Sequence, residues 1–370
     1  MHTQSTLPGW HDYDAKRALA FATAPFDFLE QARRAHGDMF AVHLGQHGVY
    51  VFIAEPEILR ELQAVDPSVF RGDGGNAILA PLLGHSSVLL IEGAAHRARR
   101  KMLRPVFKRS PVAALDRIAQ RPLLKTLDAL CAREELTLRD TLQDLGLDVI
   151  LSLLFGACPA QQRAALAAHT HAVLHDQLFT LNGLTALATH GPSHGALARF
   201  AERSLTLREA IARSIADRRS APAADSPRDT LDVLLAARDA EGNGLDDTAI
   251  TDDLVTLIIT GHETTVTALM WACVWILSAP EPLAMLTSEV RALPDHDLDA
   301  LAGASYLAAT CREALRLRPV VPIVARKLAS PTRVGAYDLP AGHTVAPAIA
   351  LMHQRPDLYP DPMTFRPERF

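Results

Sequence analysis

Residues 254–277 read LVTLIITGHETTVTALMWACVWIL, an apolar stretch that is broken by one polar turn, Thr260–Thr265. The pattern predicts about 30 residues of helix, with Asp246 or Asp247 as the N-cap. A helix that is apolar on all sides lies inside a large core or a membrane. An acid at its centre, Glu263, disfavours the membrane, so we expect the central helix of a soluble core.

The polar turn carries the chemistry of this helix. A buried Glu263 must be paired, neutral or functional. Gly261 has no side chain and leaves room for a flat group against the backbone. The Thr264 hydroxyl can bond back to the carbonyl of Thr260. The alternative without a functional role is a core helix whose polar groups are all satisfied.

The composition is that of an ordinary folded protein. The 370 residues are 48% hydrophobic with a net charge of −5, which favours neither disorder nor nucleic acid as the main partner. The N-terminal residues show no signal sequence or membrane anchor, so we expect a cytoplasmic protein. Scattered cysteines suit a reducing compartment, and they are Cys131, Cys158, Cys273 and Cys311.

The rest of the chain indicates a mainly α protein with a minor β portion, as one large domain over residues 1–370. Met39–Leu44 and Val49–Ile53 are typical of a hairpin. Nine of the 24 prolines follow residue 318, which excludes long helices there and leaves short strands.

A basic helix is predicted over Ala94–Phe107. Its positive charges and those just after it are Arg97, Arg99, Arg100, Lys101, Arg104, Lys108 and Arg109. His96 and Arg100 are four residues apart, so both can reach one anionic group. A solvated basic face is the alternative.

Glu313 and Arg316 are three residues apart on a predicted helix with apolar flanks. A buried ion pair needs further partners, and Arg369 could supply one with its planar guanidinium. Alone, this Glu-x-x-Arg spacing is weak evidence for any function.

The order of these features resembles the cytochrome P450 family of haem-thiolate monooxygenases, in its soluble bacterial form. The features are His96-x-x-x-Arg100, Gly261-x-Glu-Thr-Thr265, Glu313-x-x-Arg316 and Phe365-Arg-Pro-Glu-Arg-Phe370. The resemblance implies that this family's fold extends from about Phe26 to the last residue.

The resemblance also implies roles for single residues. Glu263 and Thr264 match the catalytic acid and alcohol that supply protons during oxygen activation. Gly261 matches the position where the helix passes over the haem. The haem propionates would be held by His96, Arg100 and Arg326. Glu313, Arg316 and Arg369 would form a structural triad.

Two departures from the family pattern stand out. Thr260 occupies a position that usually holds Ala or Gly, which puts a second hydroxyl beside the site. The glycine-rich loop whose cysteine ligates the iron follows Phe370 in the family, and the 370 residues stop before it and before the final helix. The four cysteines present lie outside any glycine-rich loop, so no metal ligand is assigned to this chain.

The leading interpretation is therefore a monooxygenase with haem b as cofactor. It would insert one oxygen atom from O2 into a hydrophobic molecule such as a fatty acid, terpenoid or polyketide. The apolar Val320–Val324 and the loop-like Leu178–Gly195 would line the substrate site. A ferredoxin or flavodoxin would deliver the electrons and dock on the basic helix.

The main alternative is an inactive truncated fragment or a non-catalytic binding protein, and the coding sequence after the Phe370 codon would distinguish them. A zinc hydrolase is disfavoured because Val266 stands where His-Glu-x-x-His needs its second histidine. No Gly-x-Ser-x-Gly motif of serine hydrolases is present.

Overall fold

A computed structural model describes most of the chain. The described residues are 7–71, 79–107, 120, 122–128, 131–132, 137–156, 158–176, 195–221, 229–294 and 297–370.

Helices account for most of the described chain. In order they are α1 (Ala15–Thr23), α2 (Pro25–His36), α3 (Pro56–Ala64), α4 (Ala80–Leu83), α5 (Gly93–Leu103), α6 (Leu138–Phe155), α7 (Ala160–Leu174), α8 (Ala196–Ser220), α9 (Thr230–Ala236), α10 (Asp247–Leu277), α11 (Pro280–Arg291), α12 (Leu298–Ala302), α13 (Ser305–Leu317) and α14 (Ile349–Met352). The strands are short, and this confirms the prediction of a mainly α protein with a minor β portion.

The strands form one mixed sheet and a separate hairpin. They are β1 (Gly9–Trp10), β2 (Met39–His43), β3 (Val49–Ile53), β4 (Phe70–Arg71), β5 (Arg326–Leu328), β6 (Thr332–Val334), β7 (Tyr337–Leu339) and β8 (Thr344–Pro347). The sheet order is β1-β2-β3-β8-β5-β4, and β6 pairs with β7. The predicted hairpin is confirmed: β2 and β3 are antiparallel, with Ala41 opposite Val51.

The chain divides into two compact units. The first unit comprises Met1–Ala77, Trp271–Glu289 and Ser305–Phe370 and contains both sheets. The second unit comprises Ile78–Met270 and Val290–Ala304, and all of its named elements are helices. That residues 1–370 form a single domain stays a prediction.

Helix α10 follows the sequence prediction closely. It has 31 residues, and the Asp246 carboxylate caps its first turn by accepting from the backbone N–H of Ala249 at 2.7 Å. Its first half is buried in the core of the second unit through Ile250, Leu254 and Ile258.

The second half of α10 does not fit the expectation of a helix buried on all sides. Leu269 and Val274 are 40% and 45% exposed. By length and composition alone, α10 is also the one helix of the described residues that could cross a membrane. The acid at its centre is the sequence argument against that placement.

Candidate active site

A row of hydroxyl groups runs along α10 at four-residue spacing. Thr264 donates its hydroxyl hydrogen to the Thr260 carbonyl at 2.6 Å, as predicted, and Thr260 donates to the Thr256 carbonyl at 2.7 Å. Thr260 and Thr264 are exposed, whereas His262 and Val266 on the opposite side of the same turns are only 1% exposed. The polar turn therefore directs two hydroxyls away from the packed core.

Glu263 lies at the edge of this hydroxyl row and is not fully buried. Its side chain is 29% exposed, so the expectation of a buried acid is wrong. An Oε1 atom lies 3.4 Å from Nδ1 of the neighbouring His262. Partial exposure lets this carboxyl group exchange protons with water without the cost of full burial.

The glycine of the polar turn has a packing role within the second unit. A Cβ on Gly261 would lie 2.8 Å from Cδ1 of Ile150 in α6. One turn earlier in α6, a Cβ on Gly146 would lie 2.5 Å from Cγ2 of Val266. The two glycines let α6 and α10 approach closely, so close helix packing alone accounts for Gly261, and its predicted contact with a cofactor stays a prediction.

Two predicted cofactor-binding residues lie one turn apart on α5. His96 is half-buried and Arg100 is exposed. Within the described part of the chain, neither side chain forms a hydrogen bond or an ion pair. Arg97 and Lys101 are exposed as well, whereas Lys108 and Arg109 of the predicted basic cluster lie outside the described residues.

One cation of α5 points inward and fixes the helix. Arg99 donates to Asp253 of α10 at 2.7 Å, and the other oxygen of that carboxylate accepts from the backbone N–H of Val88 at 2.9 Å. The Asp253 side chain is fully buried, and this burial raises its pKa although Arg99 lowers it. With Arg99 directed at α10, its neighbours on the other faces of α5 are directed to solvent.

The adjacent Asp252 makes a second set of contacts that the sequence did not predict. Its carboxylate accepts from the backbone N–H of Ser86 at 2.8 Å and pairs with Arg208 of α8. Nearby, the hydroxyls of Ser87 and Thr256 are 2.7 Å apart. Asp252 and Asp253 together anchor the loop before α5 to α10. Two consecutive acids in an apolar helix were the available signal.

The third predicted propionate ligand, Arg326, belongs to the first unit. It opens strand β5, is exposed, and places its guanidinium carbon 5.5 Å from the ring centre of Phe70. Both strands of that contact are paired in the same sheet. The role of Arg326 toward a cofactor stays a prediction.

The predicted structural triad is present in the first unit. Glu313 accepts from Nε and Nη2 of Arg316 at 2.7 and 2.8 Å, and from Nε of Arg369 at 3.3 Å. Arg316 also donates to the backbone carbonyl of His353 at 2.7 Å. Every charge of this cluster therefore has several partners, which is what buried ions need.

Two of the four cysteines have thiols that ionise less readily than usual. Burial raises the pKa of Cys273 and of Cys311, which keeps both side chains in the thiol form. Cys131 is exposed, and Cys158 is half-buried.

The comparisons with known proteins decide the family. The family model described as cytochrome P450 matches residues 17–370. The chain belongs to the cytochrome P450 family. A Mycobacterium tuberculosis protein named cytochrome P450 135B1 is 34% identical over 354 residues, covering 92% of this chain and 71% of that protein.

Other similarities support the same assignment. Cyclooctat-9-en-7-ol 5-monooxygenase of Streptomyces melanosporofaciens is 28% identical over 364 residues, covering 95% of this P450 chain and 76% of that enzyme. The solved structure of retinoic acid bound cyanobacterial CYP120A1 shares the fold, with a TM-score of 0.85, 24% identity, and coverage of 100% of this chain and 82% of its own. At the level of the family, the chain is thus a haem monooxygenase, and the alternative of a fragment or binding protein gains no support.

Proposed function

We propose that this P450 uses haem b to insert one oxygen atom from O2 into a hydrophobic substrate, with electrons from a ferredoxin- or flavodoxin-type donor in the cytoplasm. The observation that supports this proposal most directly is the polar turn of α10. Thr260 and Thr264 are exposed beside Glu263, whose side chain is 29% exposed, near the middle of a mainly apolar helix. Such a turn brings an acid and two hydroxyl oxygens that can hold water to one open face of a core helix.

His96 and Arg100 of α5 are suited to bind the propionate groups of a haem. His96 and Arg100 are one turn apart, and no described residue occupies their polar atoms. Guanidinium and imidazole groups bind carboxylates by charge-assisted hydrogen bonds. We propose that these two residues hold the propionates, and a contribution of Arg326 stays a prediction from the family resemblance. When bound, haem supplies the redox chemistry that activates O2.

The chain's own residues then handle protons. Glu263 takes a proton from water at its exposed side, because its carboxyl group is in contact with solvent. Thr264 uses its hydrogen for the Thr260 carbonyl, so its oxygen keeps lone pairs for a water molecule. That water lies between acid and substrate pocket in our proposal and receives the proton from Glu263.

Exposed apolar side chains support a hydrophobic substrate. Val321 and Val324 are 48% and 39% exposed, and they offer apolar contacts to a hydrophobic substrate. Residues 178–194 of the second predicted substrate segment lie outside the described residues.

Arg97 and Lys101 present positive charge on α5. We propose that they attract an acidic electron donor, since opposite electrostatic potentials steer the encounter of two proteins.

Haem titration of the purified protein tests this proposal. We expect saturable haem binding that weakens about tenfold or more in Arg100→Gln, because charged hydrogen bonds contribute roughly 1.5–3 kcal/mol. Arg97→Gln is the matched control, since it removes a neighbouring cation from α5 without touching the proposed propionate site. Failure to bind haem saturably would refute the proposed function.

A further inference from the structure

The imidazole of His262 has a defined protonation at one nitrogen. The residue is only 1% exposed, and Nε2 lies 2.9 Å from the backbone carbonyl oxygen of Gln143 in α6. A carbonyl oxygen only accepts, so Nε2 must carry the hydrogen of this bond. In the neutral ring, Nδ1 therefore has a lone pair and no hydrogen.

This second nitrogen faces an acid. Among the residues that the structure describes, Nδ1 of His262 has no hydrogen-bond partner, and Oε1 of Glu263 lies 3.4 Å away. Without a hydrogen between them, Nδ1 and Oε1 are two acceptors and cannot form a hydrogen bond. A buried nitrogen without a hydrogen-bond partner lowers the stability of the fold. At 3.4 Å the two atoms do not form a hydrogen bond, but the Glu263 side chain is partly exposed and has room to turn toward the ring. Closing this distance to that of a charge-assisted hydrogen bond places one proton between Nδ1 and Oε1 and removes both problems.

We propose that His262 and Glu263 form a dyad that shares one proton, in which His262 is the positioning residue. This inference rests on the proposed function, in which Glu263 moves protons. When the dyad gives up its proton, a neutral imidazole and a carboxylate remain, and water returns the proton to Glu263. The Nε2 hydrogen stays in place because its acceptor is a peptide carbonyl.

The packing of α6 against α10 holds the ring in this orientation. A Cβ on Gly146 would lie 3.3 Å from Cδ2 and 3.6 Å from Nε2 of His262, so the glycine leaves the space that the ring fills. Gln143 sits one turn before Gly146 and offers its carbonyl at the end of that space. The ring is inaccessible to water, and only the Glu263 side of the dyad is open to it.

Other charged groups surround the acid within the second unit. His171 and His175 of α7 stack with ring centres 3.7 Å apart. Burial lowers the pKa of His175, and His171 and Arg139 lower it further, whereas Asp140 and Glu263 raise it. A protonated His175 would stabilise the carboxylate of Glu263 but makes no contact with the buried ring of His262. These groups tune the dyad and do not replace either member.

Nitrogen NMR of the labelled full-length protein tests the dyad without any turnover. The chain has 16 histidines, so His262→Gln identifies the signals of this ring. In the wild type at neutral pH, we expect Nε2 to be protonated and Nδ1 to show the shift of a nitrogen that shares a proton. In Glu263→Gln, whose amide donates to Nδ1, that shift should be lost and an unprotonated Nδ1 should remain.

His353 is the internal control for this experiment. Its Nδ1 is also buried without a hydrogen-bond partner in the described structure, but no carboxylate is paired with it there. Its signals should be identical in the wild type and in Glu263→Gln. Identical His262 spectra in those two proteins, or a hydrogen on Nδ1 and none on Nε2, would overturn the inference. Haem binding is measured separately, so loss of the proposed function alone would leave the NMR result intact.

Discussion

Replacing Glu313 by glutamine should destabilise the fold strongly. The carboxylate is fully buried and accepts from Arg316, from the backbone N–H of Arg366 at 3.0 Å and from Arg369. Glutamine keeps the size of the side chain but removes the negative charge. The buried guanidinium of Arg316, whose side chain is 1% exposed, then loses its counterion.

The magnitude follows from the environment of that guanidinium. Breaking a buried ion pair on one side costs about 3–5 kcal/mol. Arg316 would keep its bond to the His353 carbonyl and its position 4.9 Å from the ring centre of Tyr359. We therefore expect a loss near the lower end, about 3 kcal/mol of the free energy of unfolding.

The chain contains a matched control with the same spacing. Glu57 and Arg60 are also three residues apart on a helix, with 3.2 Å between their charged atoms, but their side chains are 65% and 71% exposed. Exposed pairs contribute about 0–1 kcal/mol, so Glu57→Gln should change stability little. Urea unfolding of both variants measures the difference. Equal losses in Glu313→Gln and Glu57→Gln would refute the reasoning that burial determines the strength of the pair.

Three further predictions concern other parts of the chain. Gly146→Ala should lower the free energy of unfolding by about 1–3 kcal/mol in urea denaturation, because its Cβ would overlap Val266. Glu30→Gln should make the free energy of unfolding depend less on pH in the acidic range, as measured by unfolding at a series of pH values. Arginine hydrogen bonds lower the pKa of Glu30 below its ordinary value of 4.5, so its contribution is present above 4.5 and is lost as the pH falls through the lower folded value. Charge reversal at Arg97 and Lys101 should slow reduction by an acidic donor about tenfold at low salt and weaken its salt dependence; an unchanged rate would contradict the docking proposal.

Residue spacing predicted those contacts that join residues close together in the sequence. The cap at Asp246, the back-bond of Thr264 and the pairing of β2 with β3 all join residues that are close along the chain. The Glu313–Arg316 pair is of the same kind. In each case, helix or strand geometry fixes the distance before any tertiary contact forms.

Contacts between distant residues were not predictable in this way. Asp252 pairs with Arg208, 44 residues away, and Asp253 pairs with Arg99, 154 residues away. Periodicity identifies which face of α10 is apolar, but it does not specify which loop or helix supplies the partner of a buried acid. The partial exposure of Glu263 escaped prediction for the same reason, since it depends on what packs beside the turn.

The Glu-x-x-Arg spacing shows why a motif needs its environment. It occurs at Glu57–Arg60, where both side chains are exposed, and at Glu30–Arg33, where they are about one quarter exposed. It occurs again at Glu313–Arg316, where they are buried. The backbone geometry is common to all of them, because three residues on a helix bring the charges together. A further cation does not distinguish them, since Arg34 contacts Glu30 as Arg369 contacts Glu313. The difference lies in burial.

One buried ion pair determines which face of the basic helix α5 points toward α10. Its cations would be interchangeable on an isolated helix, and a solvated basic face would be a sufficient account of them. The pairing of Arg99 with the buried Asp253 removes that freedom, since it orients one face of α5 toward α10. His96 and Arg100 then lie on a face where no described residue competes for them, and Arg97 and Lys101 lie in solvent. The proposed contacts of α5 with the haem and with the electron donor therefore depend on the Arg99–Asp253 ion pair, although neither residue is proposed to contact haem or donor.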